Sequence, residues 1–566
     1  MSVPAHALTR HSGLDRVLSL WRNGFACDSP VVFSFAISFV WLVLYNLRFW
    51  EDTAAAMWHG NVASSAFIAS LFTVVWCVQA LLLLLIPRRI LIVATSLLFV
   101  IAAVGSFFSS EYGVLMNKDM MRNILQTDPA EARGLLSSLL AEWTLVMGVL
   151  PALIVRKVRF PRLHWRGALR QRAIAIAGIL VICAVALFSG SASYAVFLRE
   201  YKPLRFSLSP VAPVASTLQL IVDQQREHSN GPVINASGPV TRVLPPQQKP
   251  MVIVIVVGET ARADNFQLGG YSRPTNPRLS TEEGLVYFDQ ATSCGTATAV
   301  SVPCMFSHLG RESFDVDEAP HYENLLDTLS EAGFDVEWRD NNAGCKGVCE
   351  RVRQVSYANR TDAGKCANSY CYDEVMIDDM VPRLRDIRHD TVIVMHAIGS
   401  HGPAYFERYP PRFETFTPAC HSNELQRCSV AEVVNAYDNS IVYADYMLAE
   451  SIARLRAASS QVDSVLLYAS DHGESLGEQG IYLHGLPYSF APAVQKHVPM
   501  MLWMSPGYEE RRQVNGECLE SQSMRPVSHD NIYHTVLGAA GVRNTSYNSA
   551  LDLLTSCTGP AAGTHE

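Results

Sequence analysis

Between Ser293 and Cys304 the chain reads SCGTATAVSVPC, a Gly/Thr/Ser loop with a cysteine near each end. Elsewhere, polar residues follow runs of Val, Ile, Leu and Met. Glu259 and Thr260 follow MVIVIVVG, His401 lies in the AIGSHGP that follows TVIVMH, and Asp471-His472 follows SVLLYAS. His484 comes twelve residues after His472, in YLHGLP. Carboxylates and imidazoles in this mixture suit zinc, which takes nitrogen and oxygen ligands in tetrahedral geometry and keeps a position open for catalysis. The loop supplies something for the metal to act on. A threonine hydroxyl is a poor nucleophile, and metal coordination is one route to its alkoxide near neutral pH. Misplacing that oxygen by about 1 Å can cost on the order of 100-fold, so a Cys294–Cys304 cross-link would have a chemical purpose. Thr296 can also sit at a helix N-terminus, where backbone N–H groups favour an anionic phosphate. Thr298 and Ser301 share the loop, and spacing alone does not choose among the three hydroxyls. Each feature alone has a plainer reading, such as a helix cap or a turn histidine. Their recurrence at strand ends favours a site.

The elements that must position these residues read as alternating strand and helix. Apolar runs at 251–257, 334–338, 391–396, 464–470 and 498–504 have the continuous Val/Ile/Leu character of buried parallel strands. Helical patterns such as NLLDTLSEAG and VVNAYDNSIVYADYMLAESIARL lie between them. The pattern predicts an α/β sandwich with a mostly parallel sheet. Ligands in such folds bind beyond the carboxyl ends of the strands, where the polar residues above fall.

The first part of the chain is different. Runs at 31–50, 64–86, 89–108, 135–155 and 173–195 are each long enough to cross a bilayer as helix. Residues 1–30 lack the apolar core of a cleaved signal peptide. Arg10, Arg16 and Arg22, then Arg88 and Arg89, then RKVRFPRLHWRGALRQR mark the inward links, whereas EDTAAAMWHGNV has no Lys or Arg. Five spans that start inside leave the remainder outside. The expected organisation is a cytoplasmic segment 1–30, a five-helix membrane bundle 31–195 with an outward loop 109–134, a bridging helix and linker 196–248, and a catalytic domain 249–566.

Cysteine usage agrees. Ten of the thirteen cysteines follow residue 290: Cys294, Cys304, Cys345, Cys349, Cys366, Cys371, Cys420, Cys428, Cys518 and Cys557. An even number, mostly in close pairs, reads as a disulfide framework in an oxidising compartment such as the bacterial periplasm. Proximity pairs them in that order, ending with 518 and 557. Net charge is −8 and no basic stripe appears, which excludes nucleic acid as a partner.

The blocks VVGETARADNFQLGGYSRPTNP, SCGTATAVSVPCMFS, GSHGPAY and SDHGESLGEQGIYLHG resemble the signature of the lipid A phosphoethanolamine transferases, in the alkaline phosphatase and sulfatase superfamily. The resemblance covers nearly the whole chain. It implies an alkaline phosphatase-like fold for the catalytic domain. It implies Thr296 as nucleophile, Glu259, Thr296, Asp471 and His472 as ligands of one catalytic zinc, and His401 and His484 on the substrate phosphate, as proton donors or on a second zinc. It gives Tyr112, Asn123, Thr127 and Glu131 contacts with the lipid head group; the last three recur at four-residue spacing, one face of a helix. Lys346, within CKGVC, joins them as a substrate-site residue. The implied partners are phosphatidylethanolamine as donor, lipid A as acceptor and the surrounding membrane lipids, with the enzyme a monomer. The implied product is a less anionic lipid A that binds polymyxins and other cationic peptides less well. Phosphoglycerol transferases with the same architecture are the nearest rival; the cysteine-rich domain and DPAEA favour phosphoethanolamine. The Cys-x-Pro-Ser-Arg pattern of sulfatases is absent around Cys294. A membrane-anchored receptor or scaffold with a structural metal predicts zinc without turnover.

Overall fold

The computed structural model describes residues 24–558, apart from 128, 162–163, 228–232, 236–237, 245–248, 358–359, 363 and 368–369 and the side chains of 129–131, 224, 226–227, 367 and 370. Most of the expected segment 1–30 therefore lies outside the described residues. The chain divides into two compact units, one of residues 1–111 and 138–215, the other of 112–137 and 216–566. Residues 112–137 thus group with the second unit, although the sequence reads 109–134 as an outward loop of the membrane domain.

Among the described residues four helices are long and apolar enough to cross a membrane: Val62–Leu85, Leu91–Tyr112, Ser138–Val155 and Trp165–Ser189. The first expected span is corrected. It consists of two helices, Pro30–Leu44 and Leu47–Met57, bent by 66°. The break falls at Asn46, whose Nδ2 donates to the carbonyls of Trp41 at 2.8 Å and Ser209 at 2.9 Å. Its Oδ1 accepts the amide of Ser209 at 2.8 Å. In hydrocarbon a broken helix must satisfy its freed backbone groups internally, and this buried amide does so. Arg48, beyond the break, pairs with Asp52 at 3.1 Å.

The second unit is built on a seven-stranded sheet. Its strands in chain order are β1 Met251–Gly258, β2 Leu285–Phe288, β3 Asp335–Asp340, β4 Arg353–Ser356, β5 Thr391–His396, β6 Asp463–Ser470 and β7 Met500–Met504. Their spatial order is β2-β7-β6-β1-β5-β3-β4. Every pairing from β6 to β4 is parallel, whereas β7 runs antiparallel to both β6 and β2. The run at 498–504 is therefore a strand, of the opposite direction. Each residue of the three central strands β1, β5 and β6 is buried, as their uninterrupted apolar character requires. Helices that matter for the site are α1 Lys118–Gln126, α2 Thr298–Met305, α3 Val430–Ala457 and α4 Asp530–Ala540. Five disulfides join 294 to 304, 345 to 349, 366 to 371, 420 to 428 and 518 to 557, the pairing that proximity gives.

Candidate metal and nucleophile site

Parallel strands deliver their carboxyl ends to one edge of the sheet, and adjacent β1 and β6 deliver Glu259 and Asp471-His472 there. Ligand atoms of these three buried residues lie within 4.8 Å of one another. The backbone tightens as it leaves β1. Thr260 adopts a left-handed φ of 60°, its amide donates to Asp471 Oδ1 at 3.1 Å, and its hydroxyl donates to Glu259 Oε1 at 2.7 Å. Gly399, with φ 53°, passes so close to Glu259 that a Cβ would stand 2.5 Å from the Glu259 carbonyl oxygen. Only glycine fits both constraints.

Asp471 is divided in its roles. Oδ1 accepts the amides of Thr260 and His472, whereas Oδ2 is buried without a hydrogen-bond partner and faces His472 Nε2 at 3.3 Å. His472 bonds through Nδ1 to the carbonyl of Gly473 at 2.9 Å, which fixes the proton on Nδ1 and leaves Nε2 as a lone pair. That lone pair is 3.4 Å from Glu259 Oε1.

Two carboxylates in one buried site oppose each other's ionisation. Burial pushes Glu259 up, but His472, His401 and His484 together outweigh it and hold the carboxyl low. Asp471 is pushed well above the usual carboxylate range by burial and by Glu259. An orphaned carboxylate oxygen, a fixed imidazole lone pair and mutual anionic repulsion fit a divalent cation with mixed nitrogen and oxygen preference.

The loop brings a different hydroxyl to the cluster from the one expected. Thr296 donates its hydroxyl to the carbonyl of Leu486 at 2.5 Å, and its own carbonyl accepts the amide of Gly485 at 2.7 Å. Both groups are spent joining the loop to the segment after His484. Thr298, the first residue of α2, brings Oγ1 to 3.1 Å from Glu259 Oε2, 3.2 Å from Oε1 and 3.3 Å from His472 Nε2. Ser301 serves the frame, donating to the carbonyl of Asp471 at 2.6 Å and accepting the amide of Gly295. Thr298, not Thr296, therefore brings its hydroxyl to Glu259 and His472.

His401 and His484 join the cluster. The ring centroid of His484 is 4.3 Å from that of His472 and 5.4 Å from that of His401. Lys346 stands beside α1, its ammonium donating to the carbonyls of Ala343 at 2.8 Å and Gln126 at 3.3 Å. Tyr112 is buried and donates to the carbonyl of Asn423 at 3.3 Å. The expected single helix through Asn123, Thr127 and Glu131 is corrected: α1 ends at Gln126, and a new helix runs from Pro129 to Leu135. The helix ends where Thr127 turns to extended backbone. Thr127 turns back to bond the carbonyl of Asn123 at 2.8 Å, and the Glu131 side chain lies outside the described residues.

Three supporting residues were given no role by the sequence, although Glu474 lies within SDHGESLGEQG. Glu474 holds His484, His529 holds the loop, and Asn342 holds Glu259. Glu474 lies two residues past His472, and Asn342 two past β3, so nearness to strand ends was the available signal.

This sheet, with an acid-histidine cluster and a threonine at a helix N-terminus, fits the alkaline phosphatase and sulfatase superfamily. A family profile described as Sulfatase matches residues 251–542, and one described as Phosphoethanolamine transferase EptA/EptB matches 74–225. The chain is 41% identical over 465 residues to phosphoethanolamine transferase EptA of Salmonella typhimurium, covering 81% of this chain and 84% of that one. It is 37% identical over 486 residues to phosphatidylethanolamine transferase Mcr-1 of Escherichia coli, covering 84% and 90%. The structure of the integral membrane lipooligosaccharide phosphoethanolamine transferase A from Neisseria meningitidis superposes with a TM-score of 0.91 at 32% identity, covering 94% of this chain and 100% of that one. The chain belongs to the EptA-type phosphoethanolamine transferase family. It is an inner-membrane protein with a periplasmic catalytic unit.

Proposed function

We propose that this enzyme transfers phosphoethanolamine from phosphatidylethanolamine to a phosphate of lipid A through a covalent intermediate on Thr298. The observation that carries the reading is the position of the Thr298 hydroxyl, within 3.3 Å of both Glu259 and His472, while Thr296 is tied to Leu486. The names of the relatives, phosphoethanolamine and phosphatidylethanolamine transferases, support the donor. A more distant relative at 26% identity is named Kdo(2)-lipid A phosphoethanolamine 7''-transferase, in keeping with an acceptor of this class.

Glu259, Asp471, His472 and Thr298 would hold one zinc, which when bound lowers the pKa of a hydroxyl and offsets charge on phosphate oxygens. In the first half-reaction Thr298 Oγ1 bonds to phosphorus in line and the bond from phosphorus to the diacylglycerol oxygen breaks. The hydroxyl proton is released to solvent, and the departing alkoxide takes a proton from His484. His401, beside His484, neutralises an equatorial phosphate oxygen. In the second half-reaction an oxygen of a lipid A phosphate bonds to phosphorus and the Thr298 ester breaks. The product gains an ammonium group and is less anionic, so cationic peptides such as polymyxins bind it less well. Both substrates are membrane lipids, which gives the apolar helices a tethering role.

Steady-state release of diacylglycerol from phosphatidylethanolamine tests the assignment. Thr298→Ala is expected to abolish it and Thr296→Ala to retain it at reduced rate; the opposite ranking would return the role to Thr296.

A further inference from the structure

Glu259 has a second neighbour that none of the sequence motifs contains. Asn342 follows the end of β3 and directs Nδ2 to Glu259 Oε2 at 2.8 Å and to the carbonyl of Ala397 at 2.9 Å. Its Oδ1 accepts the amide of Ala343 at 2.7 Å. These contacts fix which way the amide faces. Turned over, it would set its oxygen against a carboxylate and a carbonyl and lose the Ala343 bond.

Behind the amide stand a fully buried His396 and a partly buried Asp340. β3 and β5 are in parallel register with Asp340 beside His396 at their last residues. His396 Nδ1 lies 2.8 Å from Asp340 Oδ1, which places the proton on Nδ1. His396 Nε2 is then a lone pair, 3.3 Å from Asn342 Nδ2. Asp340 Oδ1 also accepts the Asn342 backbone amide at 3.3 Å. The amide is therefore fixed from both sides. On the other side of Glu259, Oε1 is occupied by the Thr260 hydroxyl. Each carboxylate oxygen thus carries one fixed donor, and the remaining lone pairs face Thr298 and His472.

We propose that Asn342, locked by the Asp340–His396 pair, is the positioning residue that sets the Glu259 carboxylate for the metal. Hydrogen bonds to a ligating carboxylate fix its rotamer in advance, and loss of such a partner typically costs about 10- to 100-fold in metal affinity. Asn342 also opens the segment that the Cys345–Cys349 disulfide closes around Lys346. One short connection after β3 therefore carries both a support for the metal ligand and a substrate-site lysine. The inference rests on the metal reading given above.

The test is zinc affinity of the detergent-purified full chain, measured by competition with a chromophoric chelator, with the melting temperature of the metal-free protein alongside. Wild type is expected to bind one zinc, lost in His472→Ala. Asn342→Ala is expected to bind about 10- to 100-fold more weakly with its metal-free melting temperature unchanged. Asp340→Asn, which leaves Glu259 untouched and weakens only the lock, is expected to give a loss of several-fold. Affinity of Asn342→Ala within about twofold of wild type would overturn the inference while sparing the metal reading, since about tenfold is the smallest effect such a residue exerts. A lower melting temperature with unchanged affinity would also overturn it, by making Asn342 a fold residue only. Wild type without stoichiometric zinc would overturn both.

Discussion

Glu474 places Oε2 2.9 Å from Nδ1 of His484. Its other oxygen accepts the Tyr405 hydroxyl at 2.6 Å, and the carboxyl is completely buried. Burial pushes Glu474 up to about 8, even though the Tyr405 bond works in the opposite direction. The pair orients the His484 ring through Nδ1. Glu474→Ala is expected to lower kcat for diacylglycerol release about 10- to 100-fold with a small change in KM, because orientation of a general acid acts on the chemical step. Tyr405→Phe is expected to show a smaller loss in the same direction. Equal effects on kcat and KM would place Glu474 in substrate binding instead.

His529 is the hinge pin of the nucleophile loop. Nδ1 accepts the amide of Cys294 at 3.1 Å and Nε2 donates to the carbonyl of Ser470 at 2.9 Å. The bond that Nδ1 accepts needs the neutral ring. Burial lowers its pKa to about 4, and proximity to His472 adds to the effect. Unfolded histidine titrates near 6.5. The unfolded chain therefore binds more protons between those values, and stability falls as pH drops from about 6.5 towards 4, by about 1.4 kcal/mol per pH unit per proton. His534, lowered to about 4 by burial and by His308, adds to the same window. Melting temperatures of the purified protein from pH 7.5 to 5 check this. His529→Gln is expected to flatten the slope, and an unchanged slope would contradict the assignment.

Helix α1 is held to the catalytic unit by charge. Asp317 pairs with both Lys118 and Arg122, Lys118 reaches Asp223 at 3.0 Å, and Arg122 reaches Asp119 at 3.1 Å. The Arg122 side chain is only 6% exposed, so removing its main partner leaves a buried cation poorly compensated. Asp317→Ala is expected to loosen α1 by about 3 kcal/mol and to open it to trypsin at Lys118 and Arg122. Limited proteolysis followed by mass mapping reads this directly. The exchange Arg122→Asp with Asp317→Arg should recover part of the protection, whereas a merely packed helix would show no recovery.

Strand ends were legible because buried parallel strands have an unmistakable composition, and Glu259, Asp471 and His472 follow directly from them. The disulfide partners were legible because four of the five pairs are close in sequence. The hydroxyl that reaches the cluster was not. Thr296 and Thr298 are both buried small residues of one loop, and their roles are separated only by where helix α2 begins and by the carbonyl of Leu486, 190 residues away. The break in the first membrane span was equally hidden, since Asn46 and Ser209 meet across 163 residues. Asn342, Glu474 and His529 act through other side chains, and such support leaves no periodicity or spacing to read.

Localising the covalent adduct tests the central claim most directly. The purified enzyme would be incubated with phosphatidylethanolamine, quenched, reduced and digested with trypsin, and the 279–311 peptide fragmented in the mass spectrometer. A phosphoethanolamine adduct on Thr298, absent from Thr298→Ala and present in Thr296→Ala, is the expected result. An adduct on Thr296, or diacylglycerol release with no adduct on this peptide, would contradict the account.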